Sequence, residues 1–292
     1  MGFREIHQGR MKKIVIVFLF ISGITLAGYF VISNANNQVK IVPRAQINKI
    51  NKQEPKIKES FPFDSILCSF PRPILPNDSL LKLHLLGKFD YTKDSFFTAV
   101  SAEHCTKPTY LQKETYKNFK AMFAAAKKEG VILKIISGTR NFNEQKAIWE
   151  RKWETNIKTM DSIGAAKKIL LYSSMPTTSR HHWGTDMDIN SLENSYFQSG
   201  QGLKEYNWLK KNAAKYGFCQ TYTDKKTVVR DGYQLEKWHW SYIPISSLYL
   251  KKYNELIDYS QIAGFKGSKL AEKLKSIEEY VNGIDKNCKI CD

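Results

Sequence analysis

The residue types best suited to chemistry lie in two short segments of this chain. Residues 179–188 read Ser-Arg-His-His-Trp-Gly-Thr-Asp-Met-Asp, and residues 236–240 read Glu-Lys-Trp-His-Trp. Two histidines and one carboxylate, with a fourth position left open, are the usual ligands of a catalytic zinc ion, whereas structural zinc sites are normally completed by cysteines. The two segments therefore predict one catalytic zinc ion with a glutamate beside it.

Spacing within the first segment leaves the choice of ligands open. If the residues after its glycine form a strand, side chains alternate between the two faces, so Asp186 and Asp188 share a face. His181 and His182 are adjacent, and only one of them needs to point inward. The segment thus supplies a histidine and an aspartate without deciding which of each pair is used.

The second segment requires a change of chain direction. Glu236 and His239 are three residues apart, so in a flat strand their side chains would point to opposite faces. If both serve one metal, the chain must bend, bulge or turn between them. The spacing also differs from the zincin motif H-E-x-x-H, in which two histidines share one face of a helix.

The elements that must position these residues follow from the spacing of apolar residues. Helices are predicted where apolar residues recur every three or four positions, and strands where short runs are apolar and β-rich. The predicted helices cover 111–128, a segment beginning near Asn143, 162–172, 203–216 and 268–281, and the predicted strands cover 131–136, 227–229 and 238–243. This irregular order, without βαβ units, predicts an α+β domain in which helices flank a small antiparallel sheet.

The two motifs together carry a family resemblance. S-x-H-x(6)-D followed by E-x-x-H-W resembles the zinc D-alanyl-D-alanine carboxypeptidases of the VanY type, which form a wider group with the lysostaphin-type peptidases and the hedgehog signalling domain. Residues 137–140 (Ser-Gly-Thr-Arg) with Gln145 resemble the family's S-G-x-R…Q segment, and residues 208–209 and 216–218 also fit. The similarity covers roughly residues 106–245.

The resemblance implies a DD-peptidase-like fold, a zinc cofactor and roles for seven residues. The implied zinc ligands are His181, Asp188 and His239. The implied catalytic base is Glu236, and Arg140 is implied to face the reacting carbonyl. The residues implied to lie near the substrate are Arg140, Gln145 and Ser179.

One position departs from the family pattern. Asp186 stands where the family often has a small residue such as alanine. An additional carboxylate on the ligand face could brace a ligand histidine or alter substrate choice, and the sequence does not distinguish these roles. The neighbouring His182, Trp183 and Trp240 are interpreted as residues that pack around the site.

The N-terminus predicts a membrane segment. Four basic residues precede an uncharged run of nineteen residues from Ile14 to Ile32. At about 1.5 Å per residue, such a helix spans roughly the 30 Å hydrocarbon core of a bilayer. The basic residues place the N-terminus in the cytoplasm and the remaining chain outside. The run is longer than most signal peptides, although the Ser-Asn-Ala at 33–35 leaves cleavage open.

We therefore expect four regions along the chain: a cytoplasmic tail with a membrane anchor or signal peptide over 1–35, a basic linker over 36–60, a zinc peptidase domain over 61–265, and a C-terminal helix with a CxxC tail over 266–292. Five cysteines fit an exported protein. Bridges between Cys68 and Cys105 and between Cys288 and Cys291 would leave Cys219 over, but the spacing does not fix the connectivity.

The net charge of +17 restricts the class of partner. A basic surface suits nucleic acid, anionic lipid or an anionic cell-wall polymer. No nucleic-acid-binding motif accompanies the charge and the lysines are scattered, so nucleic acid is not expected as a partner, whereas anionic envelope polymers are.

Together, the resemblance and the N-terminus predict a bacterial, membrane-anchored, extracytoplasmic zinc carboxypeptidase that releases D-alanine from peptidoglycan stem peptides. An L,D-carboxypeptidase or a wall endopeptidase is the alternative within the same enzyme class. A peptidoglycan-binding module without catalytic activity is the alternative from another class, although Glu236, Arg140 and the three ligands are all present.

Overall fold

The structure, a computed structural model, describes residues 70–288 except Arg72, together with three short strands nearer the N-terminus. The chain divides into two compact units, residues 1–60 and 61–292. In the first unit, strands β1 (Ile14–Val15), β2 (Tyr29–Ser33) and β3 (Val39–Pro43) form an antiparallel sheet in the order β1-β2-β3.

The sequence predicted a membrane helix over residues 14–32. At both ends of this run the structure instead has strands, β1 and β2, which pair with each other. The run is rich in β-branched residues, and a continuous apolar run fits a strand as well as a helix, so hydrophobicity alone did not separate the two. Residues 16–28 lie outside the described residues, as does the predicted linker beyond β3. Within the described part, no helix has the length and apolar character needed to cross a membrane.

The second unit contains two antiparallel sheets. The smaller sheet has two strands, β4 (Phe97–Ala99) and β5 (Tyr110–Gln112). The larger sheet has the order β6-β7-β9-β8, and its strands are β6 (Ile135–Ser137), β7 (Asp186–Ile189), β8 (Phe218–Gln220) and β9 (His239–Tyr242). All pairs in the larger sheet are antiparallel, which confirms the predicted sheet type and the α+β class.

Helices surround the larger sheet. The α-helices of the described second unit are α1 (Asp78–Leu86), α2 (Lys113–Lys128), α3 (Phe142–Asn156), α4 (Ser162–Ile169), α5 (Gly200–Asn212) and α6 (Ile243–Leu256). Shorter helical turns cover Arg180–Trp183, Asn194–Gln198, Ala213–Tyr216, Tyr259–Gln261, Ser268–Leu270 and, as a π-helix, Ser276–Val281.

Burial explains why the predicted helices form where they do. In α2 the apolar side chains of Phe119, Phe123 and Ala126 recur at helical spacing and are buried in one core with the strands. Truncating a fully buried phenylalanine such as Phe119 to alanine would cost about 3–5 kcal/mol. Helix α3 begins with a capping box between Asn141 and Glu144, which satisfies backbone N–H groups at its first turn.

Two predicted elements differ from the structure, and one further helix was not predicted. Residues 227–229 do not form a strand: a turn covers 225–227, where Asp224 accepts hydrogen bonds from the backbone N–H groups of Lys226 and Thr227. The predicted helix over 268–281 is interrupted at Lys275, whose φ of 47° lies in the left-handed region. Helix α6, which directly follows β9 and has a proline in its first turn, was not predicted.

The last described residues, 271–288, contribute to the same core as the rest of the second unit. Ala271, Leu274 and Val281 are buried within it. A disulfide joins Cys219 on β8 to Cys288, so Cys288 does not pair with Cys291, and Cys105 is a buried free thiol. Closing a loop of this length restricts the unfolded chain and is worth about 4 kcal/mol in the loop-entropy description. Cys68 and Cys291 lie outside the described residues.

Candidate active site

The larger sheet brings the three predicted metal ligands together. Across the β7–β9 pair, Asp188 faces His239, and on its other side it faces Ser137 of β6. The short helix before β7 supplies His181. One donor atom from each of His181, Asp188 and His239 lies within 4.8 Å of the other two, and all three side chains are buried.

His181 is held in the tautomer that a metal ligand needs. Its Nδ1 lies 2.8 Å from the carbonyl oxygen of Gly138, which can only accept a hydrogen bond, so Nδ1 carries the proton. The lone pair is therefore on Nε2, which lies 3.5 Å from Oδ2 of Asp188. A hydrogen bond of this kind from the second ring nitrogen typically fixes the orientation of metal-binding histidines.

His239 has the opposite arrangement. Its Nε2 lies 3.0 Å from Oδ1 of Asp186, and its Nδ1 lies 3.2 Å from Oδ1 of Asp188 and 3.8 Å from Oε2 of Glu236. With the proton on Nε2, the Nδ1 lone pair faces the same point as Asp188 and His181. Two imidazole nitrogens and a carboxylate oxygen that converge in this way fit a zinc ion, which is the metal we assign to the site.

The bend that the sequence required between Glu236 and His239 is a turn at residues 237–238. Asn194 holds this turn, since its side-chain oxygen accepts from the N–H of Lys237 at 3.1 Å and its amide donates to the carbonyl of Leu235 at 2.7 Å. The turn places Glu236 and His239 on the same side. Neither the spacing nor the composition of the sequence indicated that Asn194 stabilises this turn.

Glu236 lies in an environment that favours its protonated form. Burial raises the pKa of Glu236 to about 8; the attraction of His239 opposes this rise, and the charge of Asp188 adds to it. A carboxyl group with a pKa near neutrality can both accept and return a proton at physiological pH.

Arg140 is fixed beside the ligands by three polar groups. Its guanidinium donates to Ser137 Oγ at 2.7 Å and to Gln145 Oε1 at 3.0 Å, and it lies 3.8 Å from Oδ2 of Asp188. Gln145 in turn donates to the carbonyl of Ser174 at 2.8 Å. Burial lowers the pKa of Arg140, with the charges of Asp188 and Glu236 opposing this effect. The guanidinium is therefore held in one orientation toward the ligand cluster.

Two residues of the first motif do not face the ligands. Ser179 is fully buried and is not among the residues that line the cavity described below, so a substrate contact by Ser179 stays a prediction. His182 donates from Nδ1 to the carbonyl of Arg140 at 2.6 Å and accepts on Nε2 from the N–H of Thr177 at 3.1 Å. Both of its nitrogens are used, and burial lowers its pKa to about 3, so His182 supports the backbone next to Arg140.

The ligand cluster opens into a cavity of about 1010 Å³. His181, Asp188, His239, Glu236, Arg140 and Gln145 all line it. It also includes Lys152 and Tyr222, which we did not single out from the sequence. Lys152 follows Gln145 by seven residues on α3, a spacing that places both on one face of a helix and could have indicated it.

Asp186 shares its face of β7 with Asp188 but has different contacts. It is fully buried, and its two carboxylate oxygens accept from His239, from Arg180 Nε at 3.0 Å, from Thr185 Oγ1 at 2.6 Å and from Ser241 Oγ at 3.0 Å. Both oxygens are therefore engaged by protein donors, which leaves Asp188 as the aspartate facing both His181 and His239.

Comparison with known proteins agrees with this geometry. Residues 108–245 match the family model described as "VanY: D-alanyl-D-alanine carboxypeptidase". These residues are therefore similar to the VanY family. The resemblance inferred from the two motifs is thereby confirmed, and the match supports the predicted carboxypeptidase class. The cluster of His181, Asp188 and His239 supports zinc as the metal.

Two curated relatives are similar to part of the chain. The chain is 33% identical over 145 residues to the "Putative carboxypeptidase YodJ" of Bacillus subtilis (strain 168), covering 49% of this chain and 50% of that protein. It is 31% identical over 127 residues to the D-alanyl-D-alanine carboxypeptidase of Enterococcus faecalis (strain ATCC 700802 / V583), covering 43% and 46%. The chain thus spans about half the length of these curated relatives.

Among solved structures, the LdcB LD-carboxypeptidase, whose structure concerns peptidoglycan recognition, is 24% identical to the chain. Its alignment has a TM-score of 0.44 and covers 68% of this chain and 81% of that one.

Proposed function

We propose that this protein is a zinc-dependent carboxypeptidase that hydrolyses the C-terminal D-alanine bond of peptidoglycan stem peptides. The observation that carries the proposal is the convergence of His181, Asp188 and His239 on the wall of a cavity, with Glu236 3.8 Å from His239. The VanY-type match to residues 108–245 supports the same reaction.

Glu236 acts as the general base. A zinc ion held by His181, Asp188 and His239 would lower the pKa of water at the site to about 7 and would polarise the scissile carbonyl. Glu236 takes the proton from the attacking water and passes it to the leaving amine. Its position beside Nδ1 of His239 places the carboxylate next to the ligands, and its raised pKa allows the proton to be returned near neutral pH.

Arg140 stabilises the negative charge that develops on the carbonyl oxygen. A cation held in advance at this place needs no reorganisation during the reaction, which is the main advantage of an oxyanion site. Ser137 and Gln145 provide this preorganisation by fixing the guanidinium from two sides.

The charge of the cavity supports release of a residue with a free carboxylate. Lys152 is partly buried in the lining and contacts Ser173 Oγ, and no described carboxylate lies within 4.0 Å of its Nζ. Together with Arg140 it makes the cavity attractive to an anionic peptide terminus. This favours exopeptidase over endopeptidase cleavage, while the choice between a D,D- and an L,D-bond depends on the substrate.

We further propose that the second unit, residues 61–292, acts outside the cytoplasm in the cell envelope. The disulfide between Cys219 and Cys288 supports an oxidising compartment, and the net charge of +17 suits anionic envelope polymers. Attachment to a membrane through residues 14–32 stays a prediction that cell fractionation would test.

The function is tested by incubating the zinc-loaded protein with tetrapeptide, pentapeptide and cross-linked stem peptides and identifying the released fragment. We expect free D-alanine from the pentapeptide. Release from the tetrapeptide alone would indicate the L,D-carboxypeptidase, and cleavage of cross-links would indicate the endopeptidase. Zinc binding without any product would support the binding module instead.

Glu236→Gln tests the role of the base. We expect turnover to fall by about 10²–10⁴-fold while zinc is still bound, because general base catalysis typically contributes this factor. Glu205→Gln is the matched control, since Glu205 is equally buried but contacts Asn190 and Tyr196 away from the cavity. Wild-type turnover by Glu236→Gln would show that the base is another group.

A further inference from the structure

Asp186 has no role in the reaction proposed above, yet it is one of the most completely hydrogen-bonded side chains of the site. It is fully buried, and its carboxylate receives four donors from the protein. A buried carboxylate is costly unless it is paired and hydrogen-bonded. Such an arrangement therefore calls for an explanation beyond packing.

The ion pair with Arg180 connects Asp186 to the other ligand segment. Arg180 is buried, donates from Nε to Asp186, donates from a terminal nitrogen to Ser241 Oγ at 2.9 Å, and lies 4.5 Å from the ring of Trp183. It directly precedes His181 in the same short helix. The Arg180–Asp186 pair thus links the helix that carries His181 to the strand that carries His239.

The contact with His239 determines which ring nitrogen carries the proton. In a neutral imidazole either nitrogen can be protonated, and a metal binds only the unprotonated one. Oδ1 of Asp186, 3.0 Å from Nε2, retains the proton there, so the Nδ1 lone pair faces Asp188. Without this acceptor, Nδ1 could carry the proton and donate it to Asp188, which would block the ligand position.

We propose that Asp186, held by Arg180, is a positioning residue that fixes the tautomer and ring orientation of His239 for zinc binding. This inference rests on the proposed zinc site, and it assigns to Asp186 the bracing role that the sequence left undecided. It also excludes the alternative in which Asp186 itself replaces Asp188 as ligand, because both of its oxygens are engaged by protein donors.

The test is the zinc affinity of Asp186→Asn in the full chain, measured by competition with a chelator. We expect the affinity to fall by about 10–100-fold, the usual cost of removing such an outer partner. The cobalt(II)-substituted protein provides a second readout, since a misoriented ligand changes the visible spectrum. Unchanged zinc affinity and an unchanged cobalt spectrum in Asp186→Asn would overturn the proposal.

Because Asp186→Asn leaves the buried charge of Arg180 without a counter-charge and could unfold the protein, the double variant Arg180→Gln/Asp186→Asn is measured as well. It removes both charges, and we expect the same loss of zinc affinity in a folded protein. Wild-type affinity in the folded double variant would overturn the proposal.

Asp94→Asn is the matched control. Asp94 is a largely buried carboxylate, with 7% of its side chain exposed, and it binds the buried His84 outside the cavity. We expect it to lose thermal stability with unchanged zinc affinity, whereas an equal loss of affinity would mean that destabilisation alone explains the effect. Failure of wild-type protein to bind zinc would contradict the proposed function itself, which separates the two outcomes.

Discussion

Two buried histidines in this protein bind a carboxylate through Nε2, and they differ in what faces Nδ1. His84 Nε2 lies 2.7 Å from Oδ2 of Asp94, and its Nδ1 lies 3.0 Å from the hydroxyl of Tyr249. His239 lies 3.0 Å from Asp186, but its Nδ1 faces two further carboxylates, Asp188 and Glu236. A hydroxyl completes the hydrogen bonding of His84, whereas an imidazole lone pair next to carboxylates is an environment for a cation.

The electrostatics of the two histidines differ in the same way. Burial lowers the pKa of His84, and the attraction of Asp94 compensates only in part. Burial would also lower the pKa of His239, but the hydrogen bonds and charges of Asp186 and Asp188 raise it to about 9. A histidine paired with an aspartate therefore has a structural role at His84 and a metal-binding role at His239. The groups that face Nδ1 decide between the two roles.

The largest difference between the two histidines should appear in zinc binding when each one is replaced. We expect His239→Ala to lose both zinc binding and turnover, because one of three protein ligands is absent. His84→Gln should retain one zinc per chain and lose about 1–3 kcal/mol of unfolding free energy, the cost of a buried hydrogen bond left unmade. Zinc titration and denaturant unfolding measure both. Loss of zinc from folded His84→Gln would break the distinction between the two histidines.

The next largest effect concerns Arg140, which lies beside the His239 site at 3.8 Å from the carboxylate of Asp188. We expect Arg140→Ala to lower kcat by about 10²–10³-fold with zinc content unchanged, the usual loss for one oxyanion-stabilising donor. Arg140→Lys keeps the charge but lacks the planar fork, so it should restore only part of the rate. A normal kcat in Arg140→Ala would show that Arg140 has no part in the reaction.

The smallest effect is a difference in pH dependence, measured with chelator present. Unfolded histidine has a pKa of 6.5, and that of folded His84 is lower, so the stability due to His84 is lost as pH falls below about 6.5. Folded His239 has a pKa of about 9, so its contribution to the unfolding free energy is fully present below pH 6.5. This contribution is lost as the pH rises from 6.5 to 9.

Unfolding free energies of wild type relative to His84→Gln and to His239→Gln should therefore change with pH in opposite directions. Each slope is at most about 1.4 kcal/mol per pH unit, the value for a single proton. Slopes of the same sign would contradict the opposite pKa shifts.

Sequence periodicity located α2 and α3 closely, because their apolar faces and the capping residues of α3 are local features. It placed a strand at residues 227–229, where β-branched residues stand without a partner strand and Val229 is almost fully exposed. It missed α6, which continues directly from β9 without a loop. The errors thus occur where a β-branched run has no partner strand and where a strand continues directly into a helix.

The sequence by itself determined the chemistry of the site: the types of ligand, the glutamate beside them and the arginine that precedes α3. Its periodicity could not separate Asp186 from Asp188, because two residues on one face of a strand have the same periodicity. The family resemblance implied Asp188, and only the tertiary structure supplied the physical reason. Arg180, Ser241 and His239 Nε2 converge on Asp186, whereas His181, His239 Nδ1 and Arg140 surround Asp188, and these partners meet because β6, β7 and β9 are neighbours in the sheet.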